Sequence, residues 1–215
     1  IRTGPDGALY FADFYRFVIE HPEWISPETQ ARLDIRAGSD KGRIYRISRK
    51  KKNGNPRRPV PDLSKMTTRE LIDSLDSSSG WQRDTVQCLL LGRDLDEEQI
   101  SQLESFLALR HRPVVRVQVL ATLGMLGKLK SSSLLNSLAD PHPGIRIEAL
   151  RQSEPFAKAG HEELFAAVCG LAHDGDPRVR LQAAFTLGEW PSERNTPILS
   201  RIVTRDAKDD WIRAA

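Results

Sequence analysis

No run in the 215 residues approaches the ~18 to 20 consecutive apolar residues that a membrane-spanning helix requires, so a crossing helix is excluded from this sequence. Cysteine is scarce: Cys88 and Cys169 stand 81 positions apart and form no Cys-x-x-Cys, which points away from a zinc cluster or a disulfide framework. The histidines His111, His142, His161 and His173 fall at turns and helix starts, in no His-Glu-x-x-His or paired spacing, and no metal site is expected. Aromatic residues make up only 7%, beside 39% hydrophobic and 28% charged residues, a globular composition that is neither disordered nor channel-like. The chain opens on Ile1 without an initiator Met, signal segment or transit pattern, and Trp211 to Ala215 read as the first turn of a further helix. A piece of a longer polypeptide is expected.

A length of 215 residues suffices for one or two domains, since a domain of this size hides roughly 70% of its unfolded surface. The net charge of +3 is not spread over the chain, because Arg49, Lys50, Lys51, Lys52, Arg57 and Arg58 crowd into one stretch. Without those six, 26 basic residues face 29 acidic ones. The stretch from 49 to 64 therefore reads as an extended basic linker, with an anionic partner as the alternative.

Residues 1–48 read as β-rich. Gly4-Pro5-Asp6-Gly7 is turn chemistry, with Pro fixing φ and Gly supplying a positive φ, and Ala8 to Ala12 follow as a strand ending at Asp13. A second strand is expected over Gly42 to Ile47, with Ile44 and Arg46 on one face and Arg43, Tyr45 and Ile47 on the other. Between them lies a long excursion, Phe14 to Lys41, in which Ser26-Pro27 predicts a short helix over Pro27 to Arg32. Two strands are too few for a stable sheet, so further partners are expected.

From residue 65 to 215 the period turns helical and a repeat emerges. Its anchor is an Arg one turn into an apolar helix, at Arg83, Arg116, Arg146, Arg180 and Arg213, with intervals of 33, 30, 34 and 33 residues. Asp140-Pro141-His142-Pro143 and Asp174-Gly175-Asp176-Pro177 lead into two of these helices, placing Pro in the first turn and Asp at the positive end of the helix dipole. Second helices are expected over Asp96–Leu109, Ser131–Ala139, Glu162–Ala172 and Thr196–Thr204, with Thr67–Leu75 leading the series. Each unit of about 33 residues is a helical hairpin, and hairpins of this period stack into a solenoid.

The pattern Asp-x-x-Pro-x-Val-Arg-x-x-Ala-x-x-x-Leu resembles a HEAT repeat of the short bacterial kind, best matched by residues 174–187. The fold class expected is mostly α: a HEAT-like α-α solenoid of four to five hairpins behind a small N-terminal β segment. That segment, Gly4-Pro5-Asp6-Gly7-Ala8-Leu9-Tyr10 with Asp13, is similar to the blade motif of quinoprotein glucose or sorbosone dehydrogenase-like β-propellers. The whole order of last blade with insertion, basic linker and repeats resembles bacterial "membrane-bound dehydrogenase domain" proteins, also called haem-binding CxxCH proteins. The resemblance implies a periplasmic parent that oxidises sugars or alcohols, with a quinone-type cofactor and haem c in a cytochrome domain. These residues contain no Cys-x-x-Cys-His and one blade at most, so no cofactor is expected here. The role implied is a non-catalytic connector whose partners are the propeller and cytochrome domains of the same chain.

Asp13, Tyr15, Arg16, Glu20 and His21 form the densest chemical group outside the repeats. One reading puts them on a propeller rim, Arg16 as an anion contact and His21 as a base. The other packs Tyr15 and Phe17 against the blade, pairs Arg16 with Glu20, and makes Asp13 a turn cap rather than a calcium ligand. The anchor arginines, likewise, either line a basic groove for phosphates or form a ladder with carbonyls and with Asp140, Asp174 or Asp176. Apolar neighbours and acidic surroundings favour the ladder. Cys88 and Cys169 read as core thiols. The alternatives to a connector are a protein-interaction module using the concave repeat face and, less favoured, a nucleic-acid-binding HEAT protein.

Overall fold

The computed structural model describes residues 1–19, 21–48, 59–108, 111–190 and 193–210. The basic stretch at 49–58, Glu20 and Arg213 lie outside these residues. The chain divides into two compact units, Ile1–Asp62 with Ser79–Gln82, and Leu63–Ser78 with Arg83–Ala215.

The first unit holds a three-stranded antiparallel sheet of β1 (Arg2–Thr3), β2 (Leu9–Asp13) and β3 (Arg43–Ile47), in that order. β1 is the partner that two predicted strands lacked. Pairing of Leu9 with Ile47, Phe11 with Tyr45 and Asp13 with Arg43 puts these six side chains on one face. The Phe11 and Tyr45 rings stack at 5.0 Å there.

The β1–β2 turn is set by its own chemistry. Gly7 takes φ 76°, and Gly4 N–H bonds Ala8 O at 2.8 Å. Asp6 then collects three donors: Ala8 N–H at 3.1 Å, Tyr10 Oη at 3.2 Å and Arg46 Nε at 2.7 Å. These bonds, the Ala8 amide foremost and the Arg46 guanidinium after it, hold the Asp6 carboxyl below its ordinary range. The excursion between β2 and β3 contains a 3₁₀ turn at Pro22–Trp24 and helix α1 (Pro27–Arg32), whose N-cap Ser26 accepts from Thr29 N–H at 3.3 Å.

The second unit is helical: α2 (Thr68–Ser74), α3 (Gly80–Leu91, from Arg83 on), α4 (Glu97–Ser105), α5 (Pro113–Met125), α6 (Ser131–Leu138), α7 (Pro143–Ser153), α8 (Glu162–Gly170), α9 (Pro177–Glu189) and α10 (Asn195–Arg205). Starts are capped. Thr67 with Glu70, and Asp96 with Gln99, exchange reciprocal bonds at the heads of α2 and α4, while α5, α7 and α9 each begin on Pro. Several ends fall short of the sequence-based bounds. Helix α4 stops at Ser105 rather than Leu109, and α8 at Gly170, beyond which Leu171–His173 tighten into a 3₁₀ turn.

Helix α7 packs along both α5 and α9 and against α6, and α9 is flanked by α8 and α10. Leu134, Leu150, Leu164, Val168, Val179 and Leu187 form the centre of a continuous apolar cluster running from α6 to α10. No helix among the described residues is long and apolar enough to cross a membrane. Cys88 is exposed rather than in the core, because α3 turns Val86 and Leu90 inward and leaves position 88 on its outer side. Cys169 is half-buried, and that burial pushes its thiol pKa up.

Candidate functional site

Two constellations bring together residues singled out in the sequence. The first lies at the end of β2. Asp13 Oδ1 accepts the Tyr15 N–H at 2.9 Å, an Asx turn that draws the chain back on itself. Tyr15 adopts φ 51°, the one positive φ of a non-glycine residue among those described. Gly38 comes so close to it that an added Cβ would lie 2.0 Å from Tyr15 O, and its own φ of 79° suits glycine. Arg43 lies over the Tyr15 ring at 4.6 Å and donates to Tyr45 Oη at 3.3 Å. That hydrogen bond is the main cause that raises the Arg43 pKa further.

Ala12, Asp13, Phe14, Arg16, Ser39, Gly42, Arg43 and Ile44 line an open depression of about 400 Å³ here. Phe17, 72% exposed, does not pack against the sheet as one reading had it, while Tyr15 keeps a ring face against Arg43 of β3 and is half exposed. The physical reason is the Asx turn, which carries the chain away from the sheet at Phe14. His21 is exposed too, its Nδ1 accepting the Glu23 N–H at 3.3 Å and lying 3.8 Å from the Glu23 carboxylate. It does not join Asp13, Tyr15 and Arg16. The pairing of Arg16 with Glu20 falls on Glu20, outside the described residues.

The second constellation runs through the repeats. Arg83, Arg116, Arg146 and Arg180 each occupy the fourth residue of their helices, α3, α5, α7 and α9. One arm of the guanidinium ties down the turn before its own helix: Arg83 Nη1 bonds Ser77 O at 2.8 Å, Arg146 Nη1 bonds Asp140 O at 2.7 Å, and Arg180 Nη1 bonds Asp174 O at 2.8 Å. The other arm reaches the next hairpin. Arg116 grips both carboxylate oxygens of Asp140, Arg146 Nη2 bonds Asp174 Oδ1 at 2.8 Å, and Arg180 grips Asp206, with Nε to Oδ2 at 2.6 Å. Bidentate geometry of this kind is what arginine, rather than lysine, provides.

These rungs are buried: the side chains of Arg116 and Asp140 are 4% and 6% exposed, and those of Arg180 and Asp206 are 6% and 11% exposed. The Arg180 guanidinium lowers the Asp206 carboxyl pKa, and the carboxylate raises that of Arg180. Two of the three rung carboxylates also order their own turns, Asp140 Oδ1 accepting His142 N–H and Asp174 Oδ1 accepting Asp176 N–H, both at 2.8 Å.

Asp176 is not a rung partner. It caps α9 by accepting Arg178 N–H at 2.9 Å and pairs with the Arg178 guanidinium, which lowers its carboxyl to about 2. Asp206 takes the place next to Arg180 that sequence reasoning did not assign. The signal was present, since Asp206 stands seven residues before Arg213, much as Asp140 and Asp174 stand six before Arg146 and Arg180. Arg213 itself lies outside the described residues. Sequence reasoning also missed a second polar seam, in which Arg151 Nε bonds Gln182 Oε1 at 2.9 Å and Thr186 Oγ1 bonds Glu154 Oε1 at 2.9 Å.

Among the described residues no group of three or more His, Cys, Asp and Glu is placed to hold a metal ion. Residues 131–215 match the family model for HEAT repeats, and residues 1–51 match that of a domain of unknown function, DUF7133. No curated protein matches the chain. The helical unit is a HEAT-like α-α solenoid, preceded by a small β segment.

Proposed function

We propose that this chain works as a non-catalytic connector, with the repeats serving as a protein-interaction scaffold. HEAT repeats suggest protein partners. The observation that carries the reading is the buried ladder: three guanidinium–carboxylate rungs spend the anchor arginines on fixing hairpin spacing. Arginines committed in this way are not offered to phosphates, which argues against a nucleic-acid groove built on them.

The finer part of the proposal rests on the resemblance noted in the sequence. The β segment is the last blade of a propeller in a periplasmic dehydrogenase-like protein, the repeats follow it, and a haem-bearing domain follows them. In that setting the chain spaces a sugar- or alcohol-oxidising domain from its electron acceptor, and the depression at Asp13, Arg16 and Arg43 faces the propeller rim.

The test is to read the parent gene through both ends of this sequence. Repeated Gly-x-Asp-Gly blades before Ile1 and a Cys-x-x-Cys-His after Ala215 are the expected result. A start codon close to Ile1 with only further repeats after Ala215 removes the dehydrogenase part and leaves the interaction scaffold. The 215-residue chain by itself is expected to show no Soret band and no dye-linked sugar oxidation, and either signal would sink the connector reading.

A further inference from the structure

The ladder is interrupted at one junction. Arg116, Arg146 and Arg180 each find a carboxylate on the following turn, but Arg83 meets none among the described residues. Its one bond among the described residues is back to Ser77 O at 2.8 Å, on the turn before its own helix. Register explains the gap. Asp140 and Asp174 stand three residues before Pro143 and Pro177, and the residue three before Pro113 is Arg110. An arginine occupies the sequence position where the repeat calls for its acid.

In place of a buried rung, this junction has a pair of reversed polarity at the surface. Arg112, ahead of α5, donates to Asp76, ahead of α3, with Nη2 at 2.6 Å from the backbone O and 3.2 Å from Oδ1. Those side chains are 44% and 52% exposed, where a pair contributes little. Gln118 also bonds Gln87 across this level, and Lys130 bonds Glu104 at 2.8 Å. Packing follows the same division. Helix α7 lies close along α5 and α9, while among the described residues no element lies as close along α3.

We infer that the solenoid contains a built-in joint between α3–α4 and α5–α6, at which the first hairpin opens as a unit while the array from α5 to α10 stays closed. Closing this junction removes part of the water from the Arg83 cation without supplying a counter-charge, which disfavours the closed state. At the next two junctions the same step completes a bidentate rung. The solenoid therefore has a compliant first hairpin and a stiff remainder, a property beyond the scaffold reading itself.

Hydrogen exchange on the full chain tests this. The amides of α3 and α4 are expected to open together, on the order of ten times more readily than those of α7 and α9. Arg110→Asp supplies the absent acid in register. It should slow exchange in α3 and α4 roughly tenfold, the factor that about 1.4 kcal/mol gives, and leave α7 and α9 unchanged. Arg116→Ala should carry the fault one junction along, so that α5 and α6 join the fast-opening set. Equal protection from α3 to α9 in the unsubstituted chain overturns the inference. Ordinary end fraying, which would leave α3 and α4 exchange indifferent to Arg110→Asp and α5 and α6 indifferent to Arg116→Ala, overturns it as well.

Discussion

Leu71, Leu90, Leu120 and Leu150 in the helical unit have no exposed surface, whereas Gly4 and Ala8 are the only buried residues among those described between 1 and 62. In the first unit Phe17, Ile19 and Trp24 are 72%, 75% and 79% exposed. One region draws its order from burial and the other from local bonding. In the β unit, strand register, the Asp6 cluster and the Asx turn at Asp13 set the geometry without a core of their own. In the repeats, apolar faces supply the driving force and the arginine rungs set the spacing. The contrast teaches that side chains of similar type, an arginine beside an aspartate, do different work according to the elements that carry them. Arg46–Asp6 ties β3 to the β1–β2 turn within one small sheet, while Arg116–Asp140 joins successive hairpins.

The largest effects are expected where burial is complete. Arg116→Ala leaves the Asp140 carboxylate buried without its partner, a loss of about 3 to 5 kcal/mol that should lower the melting temperature by on the order of 10 °C. Arg116→Met combined with Asp140→Leu should recover most of it. A rung pair that melts like the wild type after Arg116→Ala alone would erase the distinction between the two regions. Leu120→Ala should cost about 2 to 5 kcal/mol by the same calorimetric measurement.

Gly38→Ala comes next. The new Cβ meets Tyr15 O at 2.0 Å and must hold φ near 79°, so about 1 to 3 kcal/mol of local strain is expected. Hydrogen exchange over 14–41 should rise while the helical melt stays put. A matching drop in the helical melt would show that the β unit is not locally ordered after all.

Acid should loosen both regions within one window. The Asp176 carboxyl, ordinarily near 3.8, is held at about 2 by Arg178, and Asp206 and Asp6 are also lowered. A carboxyl depressed in the folded state contributes stability that is complete above its unfolded value and is lost as pH falls through the folded one. For Asp176 the loss therefore runs from about pH 4 down to about pH 2. Asp176→Asn should flatten that part of the pH–stability curve, and an unchanged curve would assign the acid sensitivity elsewhere. The smallest effect is expected at the surface, where Phe17→Ala and Trp24→Ala should shift stability by no more than about 0.5 kcal/mol.

Much of the architecture was legible because it is periodic. The near-constant interval between arginines, the prolines at the first positions of α5, α7 and α9, and the Ser26-Pro27 start of α1 depend on neighbours along the chain. Strand β1 was not legible, since two residues carry no alternation to detect. Two readings stand open in the sequence for Tyr15 and Phe17, and the structure separates them, with Phe17 exposed and the Tyr15 ring against Arg43. Cys88 sits among leucines in sequence and at the surface in space, because a helix rotates about 100° per residue.

By itself the sequence determined the helical period, the hairpin repeat, the capped starts and the placing of an arginine one turn into each inner helix. Those follow from backbone propensity and spacing, which act over a few residues. Tertiary structure decided which of the candidate carboxylates each arginine meets. Asp206 rather than Asp176 serves Arg180, and Asp76 with Arg112 stands at the surface where a buried rung would otherwise lie. A guanidinium's partner is fixed by distance and burial across 24 to 28 residues of chain, and stacking of the hairpins is what brings those groups within reach.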